Sequence, residues 1–382
     1  MNSKIILKTL ILILFIFFFK TTQAADIDAS ASRTSGVAPL AIHFNADLTA
    51  SSETERSFHD YEYSWNFDDP TSGNWGTSGK SKNTDKGPVA AHIYETPGTY
   101  IATLTVKDQT GTIIDSENFT ITVDDPEIVF AGTKTTCIST GTDFAGCPIG
   151  ATQVVTSNLD GIASYIGSER RILLQRGGSF IASTPLSLGD STTFHLGAFG
   201  NCFSPDFQGI CDNAPHITFS TGTNVFIDLA NKNDWRITDL HLSGEKSGGG
   251  IVGGAINIRR FLFFKNYSEG FNTAVGWSHW RLSDDSKVEE NSVVDNKMQN
   301  MGSTGIFIGA DRLSFLGNSV HNSDTTHVVR VWWAHLGVIS HNQISGSSLN
   351  NTSGRAALKL HGPLTGSYSW GACWPYEGQG FI

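Results

Sequence analysis

Ile237-Thr-Asp239-Leu240, Phe264-Lys-Asn266-Tyr267, Glu289-Glu-Asn291-Ser292, Leu316-Gly-Asn318-Ser319 and Ser340-His-Asn342-Gln343 decide the fold, because short runs keep returning to one polar landmark. The landmarks stand 27, 25, 27 and 24 residues apart. A period near 25 residues, rich in β-branched and aromatic residues and broken by Gly, Asn and Ser, reads as one coil of a solenoid. Leucine-rich repeats share that length but need a Leu consensus and a helix-permissive half, and neither is visible. The pattern predicts a right-handed parallel β-helix whose turn asparagines stack from coil to coil, since Asn tolerates left-handed φ and satisfies local donors.

Outward from this stretch, 382 residues with 40 Gly describe an all-β chain of more than one domain. Residues 1–24 carry a basic start, an apolar run from Ile5 to Phe19 and small residues at the exit, which reads as a secretory signal peptide. No other stretch is apolar enough to span a bilayer after its cleavage. Removing it takes away Lys4, Lys8 and Lys20 and no acid, so the net charge moves from −10 to −13. Such an acidic chain excludes general nucleic-acid binding and points to a secreted, periplasmic or cell-surface protein. Cys137 with Cys147 and Cys202 with Cys211 read as two disulfides closing short loops, which leaves Cys373 without an assigned partner.

Residues 25–125 alternate in the manner of a β-sandwich. The segments Gly36-Val-Ala-Pro-Leu-Ala-Ile-His-Phe44, Tyr63-Ser-Trp65-Asn66-Phe67-Asp68-Asp69, His92-Ile-Tyr94, Pro97-Gly-Thr-Tyr100 through Val106-Lys-Asp108, and Phe119-Thr-Ile-Thr-Val123 resemble an Ig-like PKD domain from end to end. Such domains carry Trp-Asp-Phe-Gly-Asp, from which Asn66 and Asp68 depart. Trp65 and Phe67 are expected in the core, met by Tyr100, Leu104 and Val106 from the opposite sheet. The resemblance implies a spacer, adhesion or polysaccharide-contact role.

Residues 126–170 read as a linker and the N-terminal cap of the solenoid, with a short helix expected over Asn158–Ile166. The β-helix then occupies 171–382, and an end at Ile382 so soon after His361 reads as a solenoid short on that side. Arg171-Ile-Leu-Leu-Gln-Arg-Gly-Gly-Ser-Phe180 resembles the entry strand of pectate-lyase-like β-helix proteins.

Strands alternate inward and outward residues, so Ile256-Asn257-Ile258, Trp280-Arg281-Leu282, Ile306-Phe307-Ile308, Val329-Arg330-Val331 and Leu358-Lys359-Leu360 place their middle residues in one outward row. Trp332, His361 and Arg355 lie beside it. Cations and rings on an acidic chain suit a polymer of sugar carboxylates, since Arg forks hold carboxylate and rings stack on sugars. The pectate-lyase-like resemblance implies Arg330 and Lys359 as bases for β-elimination, Arg281 and Arg355 as carboxylate holders and His361 as proton donor. The remaining substrate contacts fall to Phe307, Trp332 and Asn257. A noncatalytic glycan-binding or adhesion protein is the alternative. Hydrolysis would need carboxylates gathered on one face, whereas Asp284-Asp285 and Glu289-Glu290 are adjacent pairs that point opposite ways. Calcium through Asp284, Asp285 or Asp324 is the one cofactor considered, without an Asp-rich loop to support it.

Overall fold

The structure, a computed structural model, describes residues 27–360 except 48, 50–53, 55, 186–190, 220–224, 247–248, 254–256, 277–287 and 352–353. The signal peptide, Arg281, Asp284, Asp285, His361 and Cys373 lie outside the described residues.

An N-terminal sandwich pairs a three-stranded sheet (Ser30–Ala31, Leu40–Asn45, Val89–Tyr94) with a five-stranded one (Ser35–Val37, Ile113–Asp124, Gly98–Lys107, Glu62–Asn66, Thr84–Lys86). Trp65 and Phe67 are buried as expected. Leu104 and Val106, however, are side-by-side neighbours within the same sheet, Trp65 pairing with Leu104 and Tyr63 with Val106, and Tyr100 sits on that strand too. The rings that face Trp65 from the opposite sheet belong to Phe44, 5.1 Å away. Alternation alone cannot tell a neighbour from a facing strand. Asp68 stands where the motif has glycine and takes φ 59°, a left-handed conformation that Asp tolerates. Its carboxylate accepts the Ile101 N–H at 2.9 Å, which ties the turn to the next strand.

Past the sandwich, Asp125 caps a single helical turn, Pro126–Val129, and Glu127 forks onto Arg171 at 2.7 and 3.1 Å. The parallel stack begins ahead of Arg171, because Thr135–Ser139 already pairs with Arg170–Gln175 and with Thr152–Val155. Of the helix expected over 158–166, one 3-10 turn forms, Ile162–Tyr165. Both expected disulfides, Cys137–Cys147 and Cys202–Cys211, are present.

From there the chain winds as a right-handed parallel β-helix with three walls. The first holds Val225–Asp228, Gly250–Gly253, Val275–Gly276, the leading parts of Ile306–Leu316 and Val329–His335, and Leu358–Leu360. The second runs from Arg170–Gln175 through Ser191–Phe199, Lys232–Thr238, Leu262–Phe264 and Val288–Val294 to Val338–Ser340. Seven strands, Ser179–Ala182 to Gln343–Ser345, form the third. The walls enclose one continuous apolar core running from Ile138 to Val331.

The asparagine ladder exists but in a different register. Its rungs are Asn266, Asn296, Asn318 and Asn342, at the corner between the second and third walls. The Oδ1 of Asn296, Asn318 and Asn342 accepts the backbone N–H of the rung before it and that of Asn266 accepts from Leu240, 2.9–3.1 Å, and each Nδ2 donates to a carbonyl one coil back: Ile237, Phe263, Val293 and Phe315. Asn291 is not a rung; it braces another corner, accepting from Phe261 and donating to Ile258. Asp239 sits one residue ahead of the ladder, in the left-handed column Asp239, Lys265, Asp295, Gly317 and His341. Unequal coils explain the slip: rung spacing is 30, then 22, then 24 residues, so an even 25-residue template overruns the short coil.

Two features fix how the sandwich sits. Leu40–Asn45 and Val89–Tyr94 are buried on both faces nearly throughout. One face fills the sandwich core, while Ala41, Val89, Ala91 and Ile93 pack with Leu262, Phe264, Val294, Leu316, Leu336 and Val338 of the second wall. Trp75 completes this contact, stacked on His341 at 5.3 Å and lying where any side chain at Gly317 would clash. The disulfide loop wedges into the same junction, with Phe207 against Gly76 and Gln208 donating to the carbonyls of Asn296 and Gly317.

Candidate functional site

The first wall carries the outward row. Phe307 pairs with Arg330 and Arg330 with Lys359, so three of the five expected members stand in register on successive coils, about 5 Å apart. On the coils before Phe307 the row continues as glycine, since Gly276 pairs with Phe307 and Val252 with Val275, which brings Gly253 alongside. Asn257 is therefore not in the row. It lies past the corner, its amide donating to Asn231 at 2.8 Å. The expected alternation was right, but the coil before Phe307 is longer than a constant repeat allows.

The register shift in this wall falls between Ile308 and Gly309, where Trp332 is the extra residue and Gly309 pairs with Trp333. Because the bulge follows Arg330, that side chain stays outward. Its guanidinium lies over two rings, 4.5 Å from Trp332 and 5.2 Å from Phe307, and the rings meet edge to face at 5.6 Å. Burial beneath this stack, with a smaller contribution from Arg355, holds the Arg330 pKa below the usual arginine value. Arg355 is exposed, its carbonyl accepting from Ser347.

A Cβ on Gly309 would sit 2.7 Å from Trp333 Cδ1, so the indole of Trp333 lies against that glycine. Trp333 is not among the residues expected from the sequence, where a glycine one coil before a tryptophan is the available signal. Past the outward row, toward the second wall, a charged row follows: Arg259, Glu289, Asp311 and His335, partners in successive coils. Glu289 binds Arg259 at 3.2 Å, and Asp311 binds His335 at 2.6 Å and Arg312 at 2.8 Å. Alternation within one strand separates Glu289 from Glu290 but does not reveal that Glu289 and Asp311 are partners between strands. On the opposite margin Lys246 grips Asp324 at 2.8 and 3.0 Å. Among the described residues, no cluster of three or more His, Cys, Asp or Glu side chains could hold a metal.

Compared with known families, residues 26–123 match the PKD domain family model. No curated protein matches the chain. A PKD domain and two disulfides mark an extracellular protein with a carbohydrate-related or adhesive role. No helix among the described residues is long and apolar enough to cross a membrane.

Proposed function

We propose that the chain is an extracellular polysaccharide lyase that holds an acidic glycan on the first wall and cleaves it by β-elimination. The carrying observation is the register of Phe307, Arg330 and Lys359 on successive coils beside Trp332. A uronate carboxylate held by Arg330 and Arg355 would be neutralised, which acidifies the adjacent C–H. A basic side chain then takes that proton, a double bond forms in the new chain end, and the bond to the glycosidic oxygen breaks as that oxygen takes a proton from His361 or from water. Lys359 is the better base, because Arg330 is committed to stacking over two rings. Binding without cleavage is the second reading, favoured by that same stacking, which suits a fixed guanidinium fork to recognition.

The test is incubation with polyuronates and glycosaminoglycans, following the ultraviolet absorbance of an unsaturated uronate. The lyase reading expects absorbance that Lys359→Ala abolishes while Arg330→Ala weakens binding. Binding that Arg330→Ala removes, without absorbance on any substrate, leaves the second reading standing.

A further inference from the structure

His43 lies in the strand Leu40–Asn45, on the face turned toward the solenoid, between Ala41 and its cross-strand partner Ala91. It is buried, and among the described residues neither ring nitrogen has a hydrogen-bond partner. Only its backbone is held, its N–H donating to Ser32 Oγ at 3.1 Å. A buried polar group without a partner carries a desolvation cost that an apolar residue would avoid.

The charges facing it come from both domains. Arg33 approaches from the sandwich, itself bound to Asp234 at 2.6 Å, and Arg312 and Asp311 approach from the solenoid. Asp311, the only carboxylate among them, is already engaged by Arg312 and His335. Neutral imidazole is tolerated in that setting; imidazolium is not.

We propose that His43 makes the seating of the PKD domain on the solenoid acid-sensitive: its protonation puts a third cation beside Arg33 and Arg312 and loosens the contact. The loosening reaches the working face, because Asp311 holds His335, the last residue of the strand that carries Arg330, and Leu336 next to it is part of the buried contact. Burial, then Arg312 and Arg33, push the His43 pKa down to about 3 in the seated state. Below the free-histidine value near 6.5, each pH unit therefore weakens seating about tenfold on account of this group. Asp295, buried beside Lys82 in the same junction and raised to about 6, acts with opposite sign. His341, stacked on Trp75, is lowered like His43.

The experiment is amide hydrogen exchange on the full chain between pH 7.5 and 4.5, comparing wild type with His43→Leu. The strands to follow are Leu40–Asn45, Val89–Tyr94 and Val338–Ser340, with Lys297–Met301 of the third wall as the internal reference. Asp295 and His341 are common to both chains and cancel in the ratio. Opening of the junction in wild type relative to the variant should grow to about 100-fold by pH 4.5, with the reference strand unchanged. Parallel profiles overturn the proposal.

Discussion

Gly309 shows how a single side chain's absence shapes the proposed surface. Nothing larger would let the Trp333 ring rest on the preceding coil. Gly309→Ala should lift that ring, cost about 1–3 kcal/mol by overpacking, and shift the tryptophan emission; emission identical to wild type would show that the ring does not depend on the glycine. Asp85 makes a different point. It is half-buried, paired across the strand with Trp65, and burial raises its pKa to about 6. A carboxyl whose folded pKa exceeds its unfolded value stabilises the fold below about pH 4, and that contribution is lost as pH rises through 6. Asp85→Asn should therefore gain about 1 kcal/mol at pH 8 and lose its advantage by pH 4, measured as denaturant midpoints. A variant that is less stable than wild type at pH 8 contradicts this.

At the scale of elements, the ladder is the corner on which the coils agree. Asn318 is fully buried, accepts from the backbone and side chain of Asn296, and donates to Val293 and Asn342. Asn318→Leu leaves several of these partners unsatisfied and should cost about 2–4 kcal/mol. Asn342→Leu, on the last rung, should cost less, and equal losses at the two positions would argue against a cooperative ladder. The repeat was legible in the sequence, because β-branched runs ending in Asn recur with few competing patterns. Its register was not, because coils of 30 and 22 residues average to the apparent period. Phe307, Arg330 and Lys359 fell in line despite this, since alternation within each short strand is local. Asn257 did not, since its placement required counting across a coil of unusual length.

At the scale of the molecule, the PKD domain is seated rather than tethered. Beyond the apolar contact, Arg33 binds Asp234, Lys82 binds Asp295, Lys265 binds Glu95, and the guanidinium of Arg236 donates to the carbonyls of Val37 and Pro39. The two domains should unfold in one calorimetric transition. Trp75→Ala removes the ring that bridges His341 and Gly317; it should cost about 3–5 kcal/mol and split the transition in two. Two transitions already present in wild type would show that the contact is too weak to couple the domains.

The sequence by itself determined the all-β class, the sandwich, the coiled solenoid, both disulfides and the outward direction of Arg330. Each rests on local alternation, turn chemistry or short loops, which a chain cannot hide. Only the tertiary structure decided which asparagines form the ladder, that Trp333 lies on Gly309, that Glu289 pairs with Asp311 and Asp311 with His335, and that a second apolar face on Leu40–Asn45 and Val89–Tyr94 is spent on the solenoid. These are contacts between residues tens to hundreds of positions apart. Their partners are chosen by coil length and domain seating, quantities that no local pattern encodes.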